Sequence, residues 1–299
     1  MTMPREIVAG RFYMITRRCA QRELLLRPDP TTNDTFVYCL ALAAERTGVE
    51  VILPLAMSNH HHTIVFDRRG EVIEFMAHLH KLVAKAQNVL RGRRENLWSS
   101  EPPSLVRLLE PADVLAKLIY AATNPVKDRL VERARHWPGV NGLFALLNGR
   151  SLSVRRPRHF FRARGGLPDR ATLTLHIPSE LGNAQAFRQT LRDCVAAAEE
   201  LFAAERRRNG HSVVGRRGVL RQSWRERPKA PESSGTLKPR VAARSIWSRM
   251  DALMRDRAFI HAYREARMRW REGQASLFPA GTYWLRRFAN VDVVNISTS

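Results

Sequence analysis

Cysteine is scarce in this sequence, and long apolar runs are absent from it. The 299 residues include three cysteines, Cys19, Cys39 and Cys194. An odd number at such wide spacing forms neither a disulfide framework nor a zinc site, and it favours a reducing compartment. Residues 1–10 lack the apolar core of a signal peptide, and no run of about 18 apolar residues is present to span a membrane. We therefore expect a soluble cytoplasmic protein without a membrane partner.

Acidic residues and lysine are also in short supply. The chain has 28 Asp and Glu against 50 Lys and Arg, which gives a formal net charge of +22. Six of the 50 basic residues are lysine and the other 44 are arginine. A GC-rich genome would also replace lysine by arginine, but it would not produce this net charge. Guanidinium groups bind phosphates in a bidentate way and stack on bases, so the composition predicts a nucleic-acid partner.

The positive charge is concentrated in the second half of the chain. Residues 1–150 contain 21 basic and 15 acidic residues, whereas residues 151–299 contain 29 and 13. We therefore predict a compact domain over 1–148 and a basic region over 149–299 that extends the surface for nucleic acid.

The basic region is predicted to be largely helical. Residues 183–208 are predicted to form one long helix that ends in a basic run, and residues 245–271 are predicted to form a second. Between them, residues 209–240 are rich in Gly, Pro, Ser and Arg, which is typical of a linker or a flexible loop.

The first region alternates segments of strand and helix character. Strands are predicted where β-branched and aromatic residues cluster, at 11–18, 50–57, 61–66 and 104–109. Helices are predicted from apolar periodicity at 32–47, 71–91 and 111–123. The order β-α-β-β-α-β-α begins with the ferredoxin-like split βαβ arrangement and adds one helix. We predict an α/β (α+β) fold with a ferredoxin-like βαββαβ antiparallel sheet.

Two prolines give further local expectations. Pro54, inside the second predicted strand, indicates a bulge or an edge position. Pro125 is expected to end the last of these helices just beyond Asn124, which would leave the Asn124 amide at an open terminus.

Three consecutive histidines follow the short link between the second and third strands. Residues two apart on a strand point to the same side, so His60 and His62 can reach one ion while His61 projects to the other side. A run of three histidines is by itself equally typical of a solvated turn.

Tyr120 and Asn124 lie four residues apart on the last predicted helix of the first region, and so share one face of it. Asp113 and Lys117 continue this polar stripe, whereas the opposite stripe is apolar. A tyrosine at such a boundary can equally be a half-packed structural residue.

The two patterns together resemble the HUH single-tyrosine transposases, and more narrowly the REP-associated tyrosine transposases and their insertion-sequence relatives. The matching stretches are residues 57–62, residues 118–126, and Leu130-Val131 followed by Trp137-Pro138. The spacing and the order of elements also agree, and the resemblance covers residues 8–145.

This resemblance implies an enzyme that cleaves and rejoins DNA. His60, His62 and Asn124 would be the ligands of Mg²⁺ or Mn²⁺, and Tyr120 would be the nucleophile that forms a covalent 5′-phosphotyrosine. The substrate would be single-stranded or hairpin DNA. The chain departs from the family at His61, where a bulky hydrophobic residue is usual, although a neutral, packed imidazole can take its place.

Basic residues outside the metal site are candidates for phosphate contact. They are Lys117, Arg155, Arg156, Arg206, Arg207, Arg208, Arg216 and Arg217. A DNA partner implies association with the nucleoid, and a homodimer is left open.

Two other functions fit parts of the pattern. A nucleic-acid-binding relative without the chemistry is one, and His61 is the feature that favours it. A metal-dependent hydrolase is the other, and it needs a carboxylate base near the histidines, where the sequence offers Asp67.

Overall fold

Two β-sheets organise the chain. The computed structural model describes residues 3–228 and 239–295. Within these ranges the strands are β1 (Arg11–Arg18), β2 (Glu50–Ala56), β3 (His60–Asp67), β4 (Ser104–Leu108), β5 (Leu152–Arg155), β6 (Arg170–Leu173) and β7 (Val241–Ala242). The main sheet has the order β2-β3-β1-β4-β7, and β5 pairs with β6 in a second, two-stranded sheet. Neighbours among β1–β4 are antiparallel, and β7 is parallel to β4.

Helices follow most of the strands. They are α1 (Pro30–Thr47), α2 (Val72–Arg91), α3 (Pro111–Lys127), α4 (Leu143–Leu147), α5 (Ala184–Arg208), α6 (Gly215–Arg221), α7 (Ile246–Arg271) and α8 (Trp284–Phe288). The order through α3 is β-α-β-β-α-β-α, as the sequence predicts. The five-stranded mixed sheet with its helices gives the chain an α+β fold.

Local signals place the helix ends. Asp29 caps α1 by accepting a hydrogen bond from the Thr32 amide at 2.8 Å, and Gly48 ends this helix in the left-handed conformation that glycine adopts without strain. A capping box formed by Glu110 and Asp113 starts α3, with Pro111 in its first turn.

The two faces of the main sheet carry different helices. On β3, the His61 ring lies 5.5 Å from the Phe36 ring of α1 and 5.2 Å from the His80 ring of α2. The next side chain, His62, has its ring 5.5 Å from the Tyr120 ring of α3. Because successive strand residues point to opposite faces, α1 and α2 cover one face and α3 covers the other.

Helix α3 is longer than predicted. It continues past Pro125 to Lys127, and Asn124 is buried instead of standing at an open terminus. A proline near a helix end removes only one backbone donor, so the helix can continue for the two residues to Lys127. The Asn141 side chain donates to the Ala122 carbonyl at 3.0 Å and connects this turn to the segment that follows.

Pro54 lies on β2, which is an edge strand of the main sheet. The register of β2 against β3 also shifts between Val51 and Leu53, so both predicted explanations apply to this strand. On the side of β2 that faces away from β3, the Pro54 carbonyl accepts a hydrogen bond from the Gly142 amide at 2.8 Å. The missing N–H of Pro54 lies on this same side, so no hydrogen bond between β2 and β3 is lost.

The second half of the chain packs on the first. Phe187, Leu191 and Val195 of α5 belong to the main hydrophobic cluster, and α5 contacts α3. Helix α6 lies in the segment that the composition indicates to be a linker, and residues 229–238 of that segment lie outside the described residues. The boundary at residue 148 stays a prediction. No helix in the described ranges is both long and apolar enough to cross a membrane.

Candidate metal and nucleophile site

The first residues of β3 present two imidazoles on the face of the sheet that α3 covers. The rings of His60 and His62 lie 4.8 Å apart. Burial lowers the pKa of His60 to about 4, with a further contribution from the Arg18 charge. Burial lowers the pKa of His62 well below its usual range, and His60 and Lys117 act in the same direction. Both rings are therefore neutral at pH 7, which is the form that binds metals.

Each of these imidazoles has its Nδ1 engaged by a neighbour. His60 Nδ1 lies 2.7 Å from Asn59 Oδ1, and because an amide oxygen only accepts, the imidazole donates. His62 Nδ1 lies 2.7 Å from the Thr16 hydroxyl, which β1 places opposite His62. A neighbour on one ring nitrogen fixes the orientation of the ring and directs the other nitrogen outward, as around metal-binding histidines.

Helix α3 brings Tyr120 and Asn124 to the same place. Asn124 is buried, whereas Tyr120 is 37% exposed and can be reached from solvent. Burial raises the pKa of the Tyr120 hydroxyl, the Asp128 carboxylate raises it further, and a hydrogen bond with the Asn124 side chain opposes both. The predicted nucleophile and the predicted third ligand are thus neighbours.

Two buried polar atoms at this site have no hydrogen-bond partner. They are His62 Nε2 and Asn124 Oδ1. A buried polar atom without a partner costs about 1–3 kcal/mol, so a functional reason for each is expected. Both atoms carry lone pairs that a divalent cation can accept, and the donor set therefore fits a metal. The described residues contain no group of three or more His, Cys, Asp or Glu placed to hold a metal, and this set differs because its third member is an amide.

His61 is not part of this site. It is fully buried on the opposite face, where its Nδ1 lies 3.0 Å from the Thr63 hydroxyl and its Nε2 lies 3.0 Å from His80 Nε2. The Trp98 ring packs at 5.8 Å, and burial holds the pKa of His61 well below its usual range. The imidazole is therefore a neutral core residue.

Two lysines flank the tyrosine. Lys117 Nζ lies 5.6 Å and Lys127 Nζ lies 5.4 Å from the centre of the Tyr120 ring. Lys127 is not among the sequence-based candidates, because a helix that ends near Pro125 does not include it. Since α3 continues to Lys127, this residue lies on the same helix face as Tyr120, seven residues earlier. Thr16 was also missed, since strand pairing over 46 residues leaves no local signal.

The predicted phosphate contacts differ in their surroundings. Arg156 is held in place by the carbonyls of Leu167 and Ala163 and by Asp169. Arg216 and Arg217 are exposed on α6.

Helix α6 is attached to the end of α3, because the Val214 amide donates to the Arg129 carbonyl at 3.0 Å and the Gly215 amide donates to the Leu130 carbonyl at 2.9 Å. Arg155 on β5 and Arg207 and Arg208 at the end of α5 are exposed, whereas Arg206 is half-buried.

Asp67 lies at the far end of β3 from His60. It is fully buried, and its carboxylate accepts hydrogen bonds from the Glu71 and Val72 amides at 2.9 Å each. It therefore serves the start of α2 and cannot act as a base beside the histidines.

Comparisons with known proteins find a likeness among solved structures only. No protein-family model and no curated protein matches the chain. Among solved structures, the chain is similar to a REP-associated tyrosine transposase bound to a REP hairpin, at 15% identity and a TM-score of 0.39. This match covers 60% of the present chain and 97% of that chain.

Proposed function

We propose that this protein is a metal-dependent DNA strand transferase of the HUH type. Its substrate is single-stranded or hairpin DNA, and its ferredoxin-like sheet with the added helix α3 carries the site. His60, His62 and Asn124 hold a divalent cation, Mg²⁺ or Mn²⁺, and Tyr120 is the nucleophile.

The observation that carries this proposal is the pair of buried, unpartnered atoms beside an accessible tyrosine. His62 Nε2 and Asn124 Oδ1 lack partners within the protein, while the Tyr120 ring lies 5.5 Å from the His62 ring. A structural boundary tyrosine requires neither orphan atom, whereas a metal-assisted nucleophile explains both.

The residues divide the chemistry between them. When bound, the cation supplies positive charge that polarises the phosphate oxygens and reduces their repulsion of the nucleophile. Asn59 and Thr16 keep the two imidazoles oriented. Lys117 and Lys127 place two further positive charges around Tyr120, where the anionic phosphates of the strand must lie.

The reaction conserves the phosphodiester. The Tyr120 oxygen loses its proton to solvent and bonds to phosphorus, the bond from phosphorus to the 3′ oxygen breaks, and the leaving 3′ oxygen takes up a proton. The 5′ end stays on the tyrosine as a phosphodiester. A free 3′-hydroxyl can then attack this linkage and restore both the DNA strand and the tyrosine, so that rejoining needs no ATP.

The direct experiment measures a covalent protein–DNA adduct. Full-length protein is incubated with labelled hairpin-forming single-stranded oligonucleotides and Mn²⁺, and denaturing gels detect the label on the protein. The wild type should form the adduct, and Tyr120→Phe should not. Tyr13→Phe, which removes from a tyrosine of β1 a hydroxyl without a hydrogen-bond partner among the described residues, is the matched control and should behave as the wild type.

Two results would point to other functions. An adduct that persists in Tyr120→Phe contradicts the nucleophile assignment. Tight DNA binding without adduct or nicking in Mn²⁺ identifies a binding protein that keeps the fold without the chemistry.

A further inference from the structure

A large cleft lies on the face of the main sheet that is turned away from His60 and His62. Its volume is about 930 Å³, and it is lined by α2, α7, the N-terminal segment and residues 282–285. His80 lines this cleft, and its Nε2 contacts His61 Nε2 at 3.0 Å on the buried face. The sheet therefore separates the cleft from the candidate metal site.

The walls of the cleft are apolar and rich in aromatic rings. Phe259 and Tyr263 of α7 face it, and so do Tyr283 and Trp284 near α8. Trp284 is 52% exposed, and its ring meets the Tyr283 ring edge to face at 5.5 Å. Flat, partly exposed rings of this kind are surfaces on which nucleobases stack.

Positive charge runs along one wall. Arg264, Arg267 and Arg271 line the cleft from α7, at spacings of three and four residues that place them on one helix face. Seven residues of helix extend about 10 Å. Arg5 adds a fourth guanidinium, and the single carboxylate among the described lining residues is Glu272. This excess of positive charge favours an anionic occupant.

We infer that this cleft binds unpaired nucleotides of a single-stranded nucleic acid, with bases against the aromatic wall and phosphates along the arginine row. A row about 10 Å long exceeds the rise of about 3.4 Å per nucleotide along one strand of B-DNA, so it can serve more than one phosphate. A fatty acid would need one cation at the end of an apolar tunnel. Here the cations lie in a row beside stacking surfaces.

The site stands apart from the strand-transfer proposal. It uses neither Tyr120 nor the metal ligands, and it is expected to bind in the presence of EDTA. It would hold a segment of strand on the face of the protein opposite to the cleavage chemistry.

Equilibrium binding tests the site. Fluorescence anisotropy of a labelled eight-residue oligothymidylate is measured with full-length protein in EDTA. Tyr263→Ala/Trp284→Ala should weaken binding at least about thirtyfold, because stacking contributes about 1–3 kcal/mol per base and two rings are removed. Arg264→Gln/Arg271→Gln should weaken it about tenfold and reduce its salt dependence.

The matched control removes the same charge elsewhere on α7. Arg249 and Arg269 are exposed on this helix and are outside the cleft lining. Arg249→Gln/Arg269→Gln should retain the wild-type affinity within about twofold. Equal losses in the control and in the cleft variants would show that only the general positive charge acts, and would overturn the inference.

Photo-crosslinking of the wild type locates the strand without any variant. An oligothymidylate carrying 5-iododeoxyuridine is irradiated with the protein, and the modified peptides are identified by mass spectrometry. Modification of Tyr263, Tyr283 or Trp284 is expected. Modification confined to other residues contradicts the assignment, and so does competition by thymidine monophosphate as effective as that of the oligonucleotide.

The two proposals fail in different ways. Loss of the covalent adduct in the wild type, with crosslinks still at the cleft, would reject strand transfer and keep the cleft. An adduct on Tyr120 with no crosslink or affinity loss at the cleft would reject the cleft alone.

Discussion

At the residue scale, the alternation of β3 puts chemically identical side chains into opposite environments. His60 and His62 face α3, and His62 Nε2 has no partner, whereas His61 faces α1 and α2 with both ring nitrogens engaged. The buried His61 imidazole is thus matched by a second buried histidine, His80. His61 therefore contributes to core packing and lies outside the candidate metal and nucleophile site.

Replacing His61 should affect stability and not the reaction. His61→Leu leaves His80 Nε2 and the Thr63 hydroxyl unpaired in the core, which should lower the free energy of unfolding by about 1–3 kcal/mol. Urea unfolding measures this loss. The folded variant should form the DNA adduct at the wild-type rate. Loss of adduct without loss of stability would instead place His61 in the reaction.

The same histidine pair should make the protein sensitive to acid. Burial lowers the pKa of His80 to about 3 from its ordinary value of 6.5. Between these two values the unfolded chain binds the extra proton, so the stabilisation is fully present above about pH 6.5 and is lost as the pH falls. The shifted pKa of His80 alone should lower the free energy of unfolding by about 3 kcal/mol by pH 4.5.

A double variant checks this pH dependence. His61→Leu/His80→Leu removes both titrating rings, and its free energy of unfolding should fall less between pH 7 and pH 4.5 than that of the wild type. Urea unfolding at a series of pH values gives the comparison. Parallel pH profiles for the two proteins would show that other groups cause the acid sensitivity.

At the element scale, local sequence patterns predicted the elements that carry their own signals. Helix α1 has Asp29 and Gly48 at its ends, and the strands of the first region fall within two residues of their predicted limits. Strand β7 could not be foreseen, because it has two residues and exists through pairing with β4. The continuation of α3 past Pro125 to Lys127 was not predicted either, because a proline usually marks the end of a helix and only one backbone donor is lost here.

The same limit applies to the candidate site. Spacing alone placed His60 with His62 and Tyr120 with Asn124, because each pair lies on one regular element. Bringing the two pairs together required the contact of α3 with β3, which no local pattern encodes. Thr16 became visible through the pairing of β1 with β3, and Lys127 through the continuation of α3 past Pro125.

The start of α3 should depend on one carboxylate that also holds the C-terminal region. Asp113 Oδ2 accepts from the Glu110 amide at 3.1 Å, and Oδ1 accepts from the Arg244 amide at 2.7 Å. Asp113→Ala removes both bonds and should lower the free energy of unfolding by about 1–2 kcal/mol.

Asp193→Ala, which removes an exposed carboxylate from α5, is the control and should change the stability little. Thermal or urea unfolding compares the two variants. Equal stabilities would show that the capping box does not contribute to the stability of the fold.

At the scale of the whole molecule, the charge of +22 should make DNA binding strongly dependent on salt. Arg216 and Arg217 are exposed on α6, which is attached to the end of the helix that carries Tyr120. Arg216→Gln/Arg217→Gln should reduce the slope of log affinity against log salt by about 1.4 for single-stranded DNA. Anisotropy titrations at several salt concentrations measure this slope.

Arg156 provides the contrasting case. Its guanidinium is engaged by the backbone carbonyls of Leu167 and Ala163 and by Asp169. Arg156→Gln should therefore leave the salt slope unchanged and weaken the local fold. A slope that falls with Arg156→Gln but not with the α6 variant would mean that the strand follows a different surface.

The central claim is that Tyr120 becomes covalently attached to DNA. The adduct formed with a hairpin oligonucleotide and Mn²⁺ can be trimmed with nuclease, digested with a protease and analysed by mass spectrometry. The account predicts a nucleotide linked through its 5′ phosphate to Tyr120, absent when EDTA replaces Mn²⁺. Attachment to another residue, or cleavage that releases free 5′ phosphates with no protein-bound nucleotide, would contradict it.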